Sequence, residues 1–155
     1  MAKMQGVVLA SVKDVNDPDG LGRVQVKFDF LGGQNDSTWA PVATLMSGNK
    51  RGSWFMPEVG DEVLVAFLQD MVEHPYVVGF LWNGEKQPPE TDYHVRTIVT
   101  PGGHKLRFED KDGEKKIVVK SSSGQTITLD DTASSITLEG GDRKIKMAGG
   151  LVEIS

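Results

Sequence analysis

The chain has no cysteine among its 155 residues, which excludes disulfides, thiolate metal centres and a cysteine nucleophile. It also has no apolar run near the roughly 20 residues that a membrane-spanning helix needs. Its first residues, Met1-Ala-Lys-Met-Gln-Gly6, lack the apolar core of a signal peptide, so the expectation is synthesis in the cytosol, with any export by another route. Sustained helical periodicity is missing throughout. Basic charge is scarce as well. The net charge is −5, with 8 Lys+Arg against 13 Asp+Glu in residues 1–101 and 9 against 9 in 102–155. An acidic surface repels phosphate backbones, which argues against a nucleic-acid partner.

What is present is repetition. From Gly103 onward, short alternating segments recur: Leu106-Arg-Phe108, Ile117-Val-Val119, Ile127-Thr-Leu129, Ile136-Thr-Leu138, Ile145-Lys-Met147 and Val152-Glu-Ile154. Apolar residues two apart mark half-buried strands. Turn formers separate them, among them Lys111-Asp-Gly113, Ser121-Ser-Ser-Gly124, Gly140-Gly-Asp142 and Gly149-Gly150. One such strand buries too little to stand alone, so neighbours must supply the core. The period is too short for a single-chain coil. The expectation is three chains wound together, each offering one strand in turn to every face of a shared prism.

The first ninety residues read differently. Five strand-like segments, Gln5–Val12, Gly22–Leu31, Thr38–Leu45, Asp61–Gln69 and Pro75–Trp82, are separated by turns such as Asp17-Pro-Asp-Gly20, Gly32-Gly33 and Gly48-Asn49. In the second, Val24, Val26, Phe28 and Phe30 alternate with Arg23, Gln25, Lys27 and Asp29, so one face is buried. The fourth, Val63-Leu-Val-Ala-Phe-Leu68, is apolar on both faces and is expected to be covered on both. Five short strands in so few residues favour a closed barrel, with the OB-fold as the five-stranded candidate. Core packing is the role assigned to most of the aromatics, Phe28, Phe30, Trp39, Trp54, Phe55, Phe67, Tyr76, Phe80 and Trp82. Pro88-Pro89 breaks strand continuity. The expected organisation is a barrel over 1–87, a stiff linker over 88–101 and a needle over 102–155.

Several stretches resemble a known family: Gly22-Arg-Val-Gln-Val-Lys-Phe28, Trp39-Ala-Pro-Val-Ala43, Gly52-Ser-Trp-Phe-Met-Pro-Glu-Val-Gly-Asp-Glu-Val-Leu-Val-Ala-Phe67 and His74-Pro-Tyr-Val-Val-Gly-Phe-Leu-Trp-Asn-Gly84. In order and spacing they are similar to the OB domain of phage baseplate assembly protein V and tail-spike proteins, related to the VgrG spikes. The resemblance implies an all-β protein: a five-stranded OB-fold collar followed by a short intertwined trimeric β-helix or β-prism. It implies a non-enzymatic central spike, a membrane-piercing needle, in a contractile phage tail baseplate or related injection particle. Its partners would be two further copies of the chain, a separate hub or tube protein, a PAAR-like tip protein on the blunt C-terminal end, and the target membrane on contraction. No cofactor is implied. Tip docking falls to Leu151, Glu153 and Ser155. The trimer core is read as Leu106, Phe108, Ile117, Val119, Ile127, Leu129, Ile136, Leu138, Ile145, Met147, Val152 and Ile154.

His74, His94 and His104 lack metal-ligand partners at i+2 to i+4. Asp14-Val-Asn-Asp-Pro-Asp19 is acidic enough for calcium but lacks the central glycine and flanking helices of an EF-hand, so it reads as a solvated turn. Adjacent carboxylates such as Asp61/Glu62 point to opposite faces of a strand and cannot converge as acid and base. The competing reading is a monomeric OB-type module binding a ligand or nucleic acid.

Overall fold

The computed structural model describes residues 6–28 and 36–155, in two compact units, Met1–Gln87 and Pro88–Ser155. Gln5, Asp29, Phe30, Leu31 and the Gly32-Gly33 turn, all part of the strand expectations, lie outside the described residues.

In the first unit, alternation sets the strands. β1 (Val7–Asp14), β2 (Arg23–Lys27), β6 (Glu62–Phe67) and β7 (Pro75–Leu81) are long, while β3 (Ala40–Pro41), β4 (Ser47–Gly48) and β5 (Arg51–Gly52) are two-residue pieces. The five-stranded sheet runs β3-β2-β1-β6-β7, antiparallel at each step. A parallel bridge from Val42 to Val77 brings its two ends together, with the Ala43 amide donating to the Val77 carbonyl at 2.8 Å. This is the partly open five-stranded barrel of the OB-fold. Its core is Ala10, Val12, Val24, Val26, Phe28, Ala40, Val63, Val65, Phe67 and Val77. Phe28 and Phe67 meet with ring centroids 5.8 Å apart.

Three expectations need correction. The third segment pairs only at Ala40–Pro41 and Val42, and its continuation folds into the separate β4–β5 hairpin. β6 ends at Phe67 because Gln69 and Asp70 take left-handed backbone angles that no strand accommodates, and its outer residues Leu64 and Ala66 are only partly covered in the single chain. Of the nine aromatics, most of which were expected to pack in the core, Phe28 and Phe67 are buried, whereas Trp54, Phe55, Tyr76, Phe80 and Trp82 are exposed.

The second unit is one seven-stranded antiparallel meander, β8 (Val95–Val99), β9 (Lys105–Glu109), β10 (Lys116–Lys120), β11 (Thr126–Asp130), β12 (Ser135–Gly140), β13 (Arg143–Ala148) and β14 (Leu151–Ile154), in sequence order. Gly149 and Gly150 join β13 to β14 with φ of 58° and 79°, the double positive pair that a tight hairpin requires. One point differs from the sequence reading: the segment 88–101 is not only a linker, since it supplies β8. Within the single chain each strand pairs with the next, because the short turns return it beside the last, where its backbone groups are satisfied at once.

Candidate functional site: an apolar sheet face

Because every strand of the meander pairs in register with the next, side chains of one parity stack in rows. One row reads Ile98, Leu106, Val119, Ile127, Leu138, Ile145 and Ile154; beside it run Phe108, Ile117, Leu129, Ile136, Met147 and Val152. All twelve residues read from the sequence as the trimer core therefore lie together on one face. The opposite face carries Arg107, Val118, Thr128, Thr137 and Lys146 along its middle. In the single chain the apolar rows remain partly open to water: Leu106 is half-buried, whereas the rest reach from 36% exposed at Leu138 to 79% at Ile154. A groove of about 830 Å³ follows part of the first row, where Val119, Ile127, Leu138, Ile145 and Ile154 line it together with polar residues such as Gln125, Glu139 and Lys144. A contiguous apolar surface of this size marks an association site.

Two members of the face were not in the sequence reading. Ile98 extends the first row and Arg96 heads the second, opposite Phe108. The signal was the alternation in Val95-Arg-Thr-Ile-Val99, overlooked because Pro88-Pro89 suggested a linker. Arg96 is held by Asp110 at 3.0 Å.

The three residues assigned to tip docking lie elsewhere. Leu151, Glu153 and Ser155 alternate with Val152 and Ile154 and so point to the other face of β14, all exposed. Their backbone groups are already engaged. Lys144 and Ser155 exchange N–H···O bonds of 2.7 and 2.9 Å, which sets the hydrogen-bonded pairs at Ser155, Glu153 and Leu151 and leaves the N–H and C=O of Val152 and Ile154 directed to the open edge.

Elsewhere, charged groups serve the fold. Asp17 accepts from the Arg23 guanidinium at 2.6 and 3.0 Å and from the amides of Asp19, Leu21 and Arg23. These bonds, the Arg23 side chain first, hold its carboxyl well below the usual range. The β1–β2 turn is thus pinned by Arg23, which also reaches Asp19, and is not simply solvated. Arg107 binds Glu90 and Glu109, and Lys116 binds Glu109 at 3.0 Å. Burial works against the Arg107 charge, yet the bonds to Glu109 and Glu90 raise its pKa. Among the described residues no three His, Asp or Glu side chains cluster to hold a metal. His94 pairs with Asp92, and His104 accepts from the Ser122 amide.

Two family models match this chain. The type VI secretion system/phage-baseplate injector OB domain matches residues 8–82 and the phage baseplate V C-terminal trimerisation domain matches 96–155. The chain belongs to the baseplate V spike family. Relatives include the type VI secretion system spike proteins VgrG5 and VgrG4b of Pseudomonas aeruginosa. They are 38% and 33% identical over 114 residues, covering 65% of this chain and 14% of each relative. VgrG3 of Vibrio cholerae is 29% identical over 113 residues, 65% of this chain and 11% of its own length. The chain thus spans well under a fifth of these relatives. Its apolar sheet falls wholly within the matched trimerisation domain, apart from the first residue of β8.

Proposed function

We propose that this chain is the homotrimeric, non-enzymatic central spike of a contractile phage baseplate or related injection particle. The observation that carries this is the apolar face of the meander, half exposed in one chain and lying in the trimerisation domain. Three copies turn these faces inward, each chain forming one wall of a prism. Completing the burial of a half-exposed Ile or Leu is worth on the order of 1 kcal/mol, and twelve such positions in each of three chains outweigh the cost of association. Seven strands at ~4.8 Å give a needle of roughly 30 Å.

The barrel forms the collar that docks on a separate hub or tube protein. Stiffness then makes the function: load along the axis during contraction is borne by a closed apolar core that no wall can leave without exposing two others. The membrane of the target cell is what the needle pierces. A PAAR-like tip protein adds to the open edge of β14, and the backbone of Val152 and Ile154, rather than the side chains of Leu151, Glu153 and Ser155, receives it. Light scattering on the purified full chain tests the reading. A mass of about 51 kDa, three times 16.9 kDa, is expected; a 16.9 kDa monomer overturns it.

A further inference from the structure

The antiparallel pairings place the end of β1, the start of β2, the end of β3, the start of β6 and the end of β7 at one end of the barrel. That end is unusually apolar at its surface. The β4–β5 hairpin presents Leu45, Met46, Trp54 and Phe55, with Leu45 93% and Trp54 73% exposed, and Val59 and Trp82 stand exposed beside β6 and β7. The hairpin follows β3 and leans through Trp54 on Gly22 just before β2, whereas Val59 precedes β6 and Trp82 follows β7.

The hairpin is exposed but not loose. A Cβ on Gly52 would overlap the Met46 carbonyl oxygen, and one on Gly22 would lie 2.8 Å from the Trp54 ring. Thr44 donates to the Ser53 carbonyl at 2.7 Å. The six-membered edge of the Trp54 ring is thereby held against Gly22 with most of the side chain in water, the preorganisation expected of an interface anchor. Charge also distinguishes the two patches. Residues 37–57 contain Lys50 and Arg51 and no acid, whereas Glu58 and Glu85 flank Val59 and Trp82.

We propose that, in the trimer, the β4–β5 hairpin of each barrel seats on the Val59–Trp82 sector of the next copy and closes a ring of three barrels. This rests on the homotrimer proposed above. A three-fold ring requires two different, complementary patches on each chain, and this barrel end has two, one basic and one acidic. The tether favours a second copy as the occupant. Lys86 is bonded to Asp61 in the barrel at 2.6 Å and Glu90 to Arg107 in the second unit, so only residues 87–89 lie between the two anchored residues. From Lys86 to Glu90 the chain reaches roughly 14 Å, and an 87-residue body is roughly 30 Å across. Three such bodies tethered to one trimer adjoin, at an effective concentration of about millimolar or above.

The absence of native cysteine makes the test clean. The full chain carrying Leu45→Cys with Val59→Cys, or independently Arg51→Cys with Glu58→Cys, is treated with a short bis-maleimide. Its mass is measured before treatment, and it is run on a denaturing gel afterwards. All four positions are exposed, so the fold tolerates them. Expected is a trimer in solution that becomes covalent trimer, with each single variant staying monomeric on the gel. In the Leu45→Cys/Val59→Cys chain, adding Arg51→Glu lowers the cross-linked fraction about 2- to 5-fold, and Glu58→Lys restores it. A solution trimer that yields only monomer on the gel overturns the ring and leaves the spike intact, freeing the hairpin for a foreign protein. A solution monomer overturns both.

Discussion

Lys144 and Ser155 hold each other through two backbone hydrogen bonds, 2.7 and 2.9 Å long, and this pair decides which side of the last strand is free. Hydrogen-bonded and open positions alternate along an antiparallel edge, so the amides of Glu153 and Ser155 face β13 while those of Val152 and Ile154 face outward. In the isolated protein, amide exchange at Val152 and Ile154 is expected to be fast, and at Glu153 and Ser155 slow. Proline is tolerated where the N–H faces solvent, so Val152→Pro should leave the trimer mass unchanged. Glu153→Pro removes a ladder bond and should lower stability by about 1–3 kcal/mol. Equal protection at all four amides would remove the open edge.

The Asp17 carboxyl gives the barrel a dependence on acid. Its pKa is lowered on folding, chiefly by Arg23, so its contribution is fully present above the unfolded value of about 3.9 and is lost as pH falls through the lower folded value. Asp17→Asn should therefore lower the melting temperature at pH 7. The difference from the parent should narrow steadily below pH ~4. A difference that is the same at pH 7 and pH 3 would mean that Asp17 acts by shape and not by charge.

Gly52 offers a prediction confined to the hairpin. It sits at φ 149° against the Met46 carbonyl, so Gly52→Ala must open the β4–β5 turn. Trp54 then leaves Gly22. The expected result is a changed tryptophan fluorescence spectrum with the trimer mass preserved, because the hairpin lies far in sequence from the trimerisation domain. Loss of the trimer instead would tie the hairpin to assembly more tightly than a collar contact allows.

The meander was legible because alternation is a local property. Leu106-Arg-Phe108 and its successors announce a shared apolar face within three residues, and the pairing within one chain places them together on one side of the sheet. Ile98 was missed since Pro88-Pro89 upstream suggested a linker, although Arg-Thr-Ile-Val carries the same period. Strand partners were not legible. Period two is silent on which strand Ile117 pairs with, and it is the short turns that bring Leu129 of the same chain beside it. In the barrel, Val24, Val26 and Phe28 followed the pattern, yet Trp54 and Trp82 did not. They sit in loops at a barrel end, where neither period nor composition says what is buried, and Trp54 was placed by a glycine 32 residues earlier. The Asp17–Arg23 lock was hidden for the same reason: acidic turn residues look solvated until a cation six positions on folds back over them.

The strongest demand falls on the middle of the apolar rows. Ile127 pairs with Val119 and Leu138, and Ile136 with Leu129 and Met147, so each is flanked on both sides by apolar neighbours. In a trimer, Ile127→Asp or Ile136→Asp brings three carboxylates into the shared core without partners. Several kcal/mol per charge is the usual cost, more than the contact of one wall can offset. The same substitution on the polar face, Thr128→Asp, meets water and should be tolerated. Light scattering of the three variants separates the cases: about 17 kDa for the two inward aspartates and about 51 kDa for Thr128→Asp, scaled from 16.9 kDa per chain. A stable trimer of Ile127→Asp and Ile136→Asp would reverse the faces, placing Arg107, Thr128 and Lys146 on the axis.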